Sequence, residues 1–251
     1  MLLGVALLPV VILMIFIYRK DDEKEPLRLL LKAFAFGALS IVPAIVMEMV
    51  LQGFNPVWAG ALASSCYEGF VVAGFSEELC KLLLLSWAVW RSREFNEYFD
   101  GIVYATFVAL GFACFENLSY IFEQGSYADS LATGVMRALL SVPGHFLFGV
   151  TMGYFFSLAK FDPRHRVLNM VKALLYPMLL HGTFDSILMF SSAIGDEGVA
   201  ALVSSVLMVA FVIFDIRMWK WGLRRIRRLQ ARTQEQNFDR NNPFEGFTWR
   251  V

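Results

Sequence analysis

Two adjacent carboxylates and a lysine, Glu77, Glu78 and Lys81, stand inside an otherwise apolar run that continues as four leucines. At helical pitch Glu77 and Lys81 are i,i+4 and Glu78 and Lys81 are i,i+3, so one ammonium is within reach of both carboxylates. Neighbouring side chains on a helix diverge by about 100°, so at most one glutamate is expected to face a shared site squarely. Ionisable groups recur in apolar surroundings further on, in Phe112-Ala-Cys-Phe-Glu116-Asn117, Pro143-Gly144-His145 and His181-Gly-Thr-Phe-Asp185. A carboxylate beside a histidine can act as general base on a water molecule. Alternatively Glu116, His145 and His181 could hold Zn²⁺ with a water, Asp185 serving as fourth ligand or orienting a histidine. Glu77 or Glu78 would then be the base. The chain lacks His-Glu-x-x-His, so metal binding rests on proximity across three helices.

Each group also has a plainer reading. Glu77 or Glu78 with Lys81 could be a structural ion pair, and His181 and Asp185, i,i+4 on one face, could simply bond each other. Glu116 and Asn117 could stitch two helices together. Arg137 is expected to snorkel to the membrane surface. Pro143 and Gly144 could kink a helix or open it for a substrate.

The elements that must position these groups are membrane spans. Hydrophobic residues make up 57% of the chain and mean hydropathy is +0.56, with charges gathered between long apolar runs. Hydropathy gives about seven spans of near 20 residues, at about 2–18, 30–51, 68–90, 99–122, 132–159, 170–192 and 199–219. Basic residues crowd every second connection: Arg19 to Lys32, then Arg91 and Arg93, then Lys160 to Lys172, then the tail from Arg217. The intervening connections have none, which places the N-terminus outside and the C-terminus in the cytoplasm. The expectation is an all-α, polytopic cell-membrane protein, with one transmembrane domain over residues 1–221 and a short basic cytoplasmic tail over 222–251. Net charge is zero, so the balance implies no nucleic-acid partner, and the tail reads as an anchor to acidic lipid. The cysteines, Cys66, Cys80 and Cys114, are odd in number and do not suggest a disulfide framework. Residues 2–18 lack a basic leader and a small-residue cleavage site, so no removable signal peptide is expected.

An ionisable side chain in hydrocarbon costs at least about 2.5–3.5 kcal/mol on insertion scales, and four spans carry them. At helical rise Glu116 lies about 26 Å from the start of its span, His145 about 21 Å from either end of its own, and Asp185 about 22 Å from the cytoplasmic end of its own. Glu78 lies about 18 Å from its inner end, so the groups share a central-to-outer layer, as one buried site requires. Buried Glu, Lys, His and Asp also form proton relays, so a proton- or ion-coupled transporter is the alternative. No internal symmetry of the kind carriers show is evident.

Glu77-Glu78-x-x-Lys81, Phe112-x-x-x-Glu116, His145 and His181-x-x-x-Asp185, in this order on successive spans, resemble the PrsW family of bacterial intramembrane proteases. The resemblance covers about residues 68–190. It implies a seven- or eight-span helical peptidase that cleaves single-span membrane proteins, the best-known role being the first cut of an anti-sigma factor under envelope stress. It also implies metallopeptidase or glutamate-dependent chemistry, with Glu77, Glu78, Lys81, Glu116, His145, His181 and Asp185 as site residues. The CAAX prenyl endopeptidases and bacteriocin-processing enzymes are more distantly similar. Their arginine is replaced here by Lys81, one position earlier, and Glu116 stands where their histidine would be, which argues against a prenylated substrate.

Overall fold

Backbone groups in hydrocarbon must satisfy one another, and apolar runs of this length do so as helices. The computed structural model describes residues 1–194 and 198–241, and among them there is no strand. The helices are α1 (Leu2–Lys20), α2 (Leu27–Gln52), α3 (Ala61–Tyr67), α4 (Ser76–Val89) and α5 (Asp100–Phe122), then α6 (Tyr127–Leu139), α7 (Ser141–Phe161), α8 (Arg166–Ala193) and α9 (Gly198–Asn241). Helices α5 and α7 are buried along most of their length and form the centre. Helices α1, α2 and α9 turn Leu8, Val42, Val46, Leu202, Val206 and Val209 outward, as lipid-facing helices do.

Among the described residues, six helical stretches are long and apolar enough to cross a membrane. The remaining expected span, 68–90, is helical from Ala61 to Val89 but not uniformly so. Residues Glu68–Phe75 between α3 and α4 are π-helical, a wider turn that is common beside functional groups. The span expected over 132–159 is two helices, divided at Leu140. Pro143 and Gly144 therefore make no mid-helix break. They fall in the first turn of α7, where a proline's missing N–H has no intrahelical partner to lose. His145 accordingly sits about 6 Å from the start of its helix, not at the centre of a long one. The last span runs on past 219, and Ile226, Leu229 and Thr233 are buried on the continuation. Residues 242–251 of the expected tail lie outside the described residues.

Between membrane helices association comes from close packing, which small residues permit. A Cβ on Gly74 would stand 2.8 Å from the Gly69 carbonyl and 3.1 Å from that of Met178 on α8. One on Gly182 would meet the ring of Phe70 and approach its backbone to 2.8 Å. The π-helical stretch and α8 thus touch backbone to backbone, which brings Glu78 to His181.

The far end of α4 is held from both sides. Lys32 of α2 donates to the Ala88 carbonyl at 2.8 Å, and Lys160 of α7 to that of Trp90 at 2.6 Å. Cations on the last carbonyls complement the helix dipole. These basic residues fix the helix that carries Glu77, Glu78 and Lys81.

Replacement of Gly182 by valine should cost about 1–3 kcal/mol by overpacking. Gly4→Ala, where an added Cβ meets nothing within 4 Å, should leave the thermal midpoint unchanged or higher. Unfolding of the two variants in detergent, followed by circular dichroism, checks this.

Candidate active site

The site is built outward from Lys81, which is 1% exposed. Its Nζ donates to Glu77 Oε2 and Glu78 Oε1, both at 2.9 Å, and lies 3.1 Å from His145 Nδ1. The ring of Phe112 covers the remaining side, its centroid 3.9 Å from Nζ. Both glutamates therefore reach the one ammonium, as their spacing predicts. Positions i−3 and i−4 flank the lysine on one helix face, and the flexible Glu side chains close the remaining angle.

An ammonium has protons and no acceptor, so Nδ1 of His145 accepts and the ring proton sits on Nε2. That Nε2 donates to Glu116 Oε2 at 2.8 Å. Arg137 Nη2 reaches the same oxygen at 2.6 Å, and its guanidinium lies over Tyr120, 4.1 Å from the centroid. Its Nε donates to Asn117 Oδ1 at 3.2 Å, while Asn117 donates to the Ala6 carbonyl at 3.0 Å. Arg137 thus points inward and does not snorkel, because α6 is a separate short helix laid beside α5 and α7.

On the other side, His181 Nδ1 is 3.0 Å from Glu78 Oε1 and 3.9 Å from Glu77 Oε2. Its Nε2 is 3.1 Å from Asp185 Oδ2. Phe148, one turn after His145, stacks on the His181 ring with centroids 4.7 Å apart. A single line of contacts therefore runs Arg137, Glu116, His145, Lys81, Glu77 and Glu78, His181, Asp185. Every site residue expected from the sequence lies on it.

A cavity of about 660 Å³ opens against this line. Glu77, Glu116, His145, His181 and Asp185 form its polar wall, while Glu78 stands behind the wall, 0% exposed. The cavity reaches Gln52, Glu68 and Glu123, at helix ends remote from the basic connections. Ile41, Ile45, Val72 and Met189 make the opposite wall apolar.

Glu77, Glu78, His145 and His181 each offer a ligand atom, all within 4.8 Å of one another. Oxygen and imidazole donors suit a divalent metal such as zinc. Glu78 Oε2 is buried without a hydrogen-bond partner, and carboxylates outnumber the fixed cations Lys81 and Arg137. The donor types fit a metal ion, which would take the place of the Lys81 ammonium that Glu77, Glu78 and His145 hold. The grouping differs from the set expected over Glu116, His145 and His181: Glu116 is engaged by Arg137 and His145 and falls outside it.

Sequence reasoning missed Glu48, on the cavity wall from α2, and Phe148. Glu48 carried the usual signal, a carboxylate inside an apolar span. Phe148 carried none, since an aromatic three residues from a histidine is commonplace.

A membrane-spanning bundle with paired glutamates, two histidines and an adjoining cavity is the arrangement an intramembrane peptidase needs. The comparisons agree. The family model described as PrsW family intramembrane metalloprotease matches residues 25–214. A "Protease PrsW" of Clostridioides difficile (strain 630) is 37% identical over 236 residues, 93% of each chain. Another, of Bacillus subtilis (strain 168), is 32% identical over 92% of this chain and 96% of its own. A third, of Geobacillus kaustophilus (strain HTA426), is 37% identical over 75% of this chain and 80% of its own. No solved structure matches. The chain belongs to the PrsW family, and it is a multi-pass membrane peptidase.

Removing one partner of a buried, hydrogen-bonded charge group costs about 3–5 kcal/mol. Lys81→Met should therefore destabilise the protein by that order. Glu78→Gln placed on Lys81→Met should cost less than it does alone, because the glutamate has by then lost its cation. A thermal-unfolding cycle of the two single variants and the double reads the coupling.

Proposed function

We propose that the protein hydrolyses a peptide bond of a single-span membrane protein, such as an anti-sigma factor, with Glu77 as general base. The observation that carries this reading is the division of labour between the glutamates. Glu77 reaches the cavity wall, while Glu78 is sealed behind it on Lys81 and His181. A carboxylate on the wall meets both water and substrate; one behind it can only position others.

In this reading Glu77 takes a proton from a water in the cavity as its oxygen adds to the scissile carbonyl. It returns the proton to the leaving amide nitrogen as the C–N bond breaks, leaving a new carboxylate and a new amine. Lys81 holds the Glu77 carboxylate in place, and the Glu78–His181–Asp185 chain fixes the neighbouring imidazole. Glu116, anchored by Arg137, fixes the tautomer and ring plane of His145. Of the four grouped residues, Glu78, His145 and His181 would hold a metal, with Zn²⁺ the ion their donors suit, and Glu77 would stay free as the base. A metal there supplies Lewis acidity that polarises a carbonyl and acidifies water. The apolar wall suits a membrane segment unwound next to the polar one.

The alternation of basic connections supports an outside N-terminus and a cytoplasmic C-terminus, in the cell membrane. With that orientation the cavity opens on the outer side. An extracytoplasmic juxtamembrane or outer-leaflet bond is then the one cut.

New protein N-termini near single spans should appear in membranes of cells making the wild-type chain and vanish with Glu77→Gln/Glu78→Gln at equal expression. Identical N-terminal profiles at rest and under envelope stress would refute the proposal. In purified protein a strong zinc chelator should abolish cleavage and added Zn²⁺ should restore it; unaltered cleavage after verified metal removal would exclude the metal role.

A further inference from the structure

A second group of buried carboxylates lies at the opposite end of the molecule, among the basic connections. Asp21 follows α1, Glu97 lies in the connection before α5, and Asp100 opens α5. They are 2%, 1% and 1% exposed. One oxygen of each lies within 4.8 Å of the other two. Glu23 stands against Glu97, and Glu25 against Asp100, so negative charge is concentrated where water is excluded.

The protein anchors part of this group and leaves the rest open. Asp100 Oδ2 accepts from the backbone N–H groups of Asn96 and Glu97 at 2.9 and 2.7 Å. Glu97 Oε1 accepts from Asn237 Nδ2 of α9 at 2.7 Å, and Glu25 accepts from the Tyr104 hydroxyl. Both oxygens of Asp21, Oε2 of Glu97 and Oδ1 of Asp100 are buried without a hydrogen bond of good geometry, the Glu25 backbone N–H lying against Asp21. The nearby cations, Lys24 beside Asp21 and Arg240 beside Glu97, offset part of this charge, but their protons go to backbone carbonyls. Lys24 Nζ donates to the backbone carbonyls of Tyr18 and Asp21, and Arg240 to that of Asn96 at 3.3 Å.

Buried carboxylate oxygens without donors require a cation or a proton. Convergent carboxylate oxygens from separate segments, some already oriented by backbone and amide donors, are what hard divalent cations take. We propose that Asp21, Glu97 and Asp100 bind a hard divalent cation of the Mg²⁺, Mn²⁺ or Ca²⁺ class, separate from the peptidase site. Its ligands join the end of α1, the connection from α4 and the start of α5. The same connection is tied to α9 through Asn237 on Glu97 and through Thr233 Oγ1, which accepts from the Phe99 N–H at 3.0 Å. The cation therefore clamps the end of the bundle from which α4 and α5 project to the peptidase site. The rival occupant is the proton, since burial pushes the Asp21 and Glu25 carboxyls up to about 7.

Mn²⁺ binding to the full-length protein in detergent, stripped of metal beforehand, tests this by electron paramagnetic resonance. Wild type and Glu77→Gln/Glu78→Gln should both bind Mn²⁺ at this site, with Mg²⁺ or Ca²⁺ displacing it. Asp21→Asn/Glu97→Gln should weaken that binding by about tenfold or more, since carboxylate count sets affinity at such sites. The thermal midpoint of Glu77→Gln/Glu78→Gln should rise with Mn²⁺, and adding Asp21→Asn/Glu97→Gln to it should abolish that rise. Asp21→Asn alone serves should the pair fail to accumulate. Equal Mn²⁺ affinity in wild type and Asp21→Asn, or no binding at millimolar Mn²⁺, overturns the proposal. So does an Asp21→Asn protein that is more stable than a wild type whose midpoint ignores cations, the signature of a proton-sharing cluster.

Discussion

One ammonium organises the membrane interior of this protein. A lysine head group carries three protons, and Lys81 places them against Glu77, Glu78 and His145, with Phe112 covering its open side. A charge group in low dielectric persists only when its geometry is good and its hydrogen bonds are complete. Here completeness depends on three helices at once: α4 supplies the lysine and glutamates, α7 the histidine and α5 the aromatic face. The ion group thereby fixes the register of the helices as much as the helices fix the group.

The rest of the architecture serves that register. Backbone contact through Gly69, Gly74 and Gly182 presses the π-helical stretch onto α8 and sets His181 against Glu78. At the other end of α4, Lys32 and Lys160 hold its last carbonyls. The charges that define orientation in the membrane and those that hold the reactive helix are thus partly the same residues. The site itself is asymmetric. One glutamate is offered to a cavity and its neighbour is kept from it, so two adjacent residues of one type have different surroundings and different work. Membership in a peptidase family disposes of the transporter alternative for the buried charges and gives that asymmetry its purpose.

Much of this was legible in the chain because hydrocarbon penalises charge so heavily. Glu77, Glu78, Lys81, Glu116, His145, His181 and Asp185 stood out against apolar surroundings, and the structure places them along one line of contacts. The seams between helices were harder to read. Nothing in Met136-Arg137-Ala138-Leu139-Leu140 announces that a helix ends at Leu139 and restarts at Ser141. Arg137 therefore read as an end-of-span snorkeller when it pairs with Glu116. The π-helical turn was equally silent, since it packs through Gly69 and Gly74 on α8, far away in sequence. The group that could hold a metal differs from the expected one for the same reason. Spacing along one helix is readable, but which of three carboxylates meets two histidines depends on how separate helices are rotated. The basic tail read as a lipid anchor, and its packing along the connection before α5, through Thr233 and Asn237, became visible only in the fold.

The central claim is that Glu77 activates water and Glu78 holds the frame. Cleavage by purified protein in proteoliposomes, with a tagged single-span substrate, tests it when Glu77→Gln and Glu78→Gln are compared singly and thermal midpoints are recorded for both. The account predicts that Glu77→Gln slows cleavage by about 10²–10⁴-fold, the range of general-base catalysis, with a smaller loss of thermal midpoint than Glu78→Gln, since Glu77 bonds Lys81 but stands 3.9 Å from His181. Glu78→Gln should lose cleavage and stability together, because it supports both Lys81 and His181. A Glu77→Gln protein that cleaves near the wild-type rate would contradict the account.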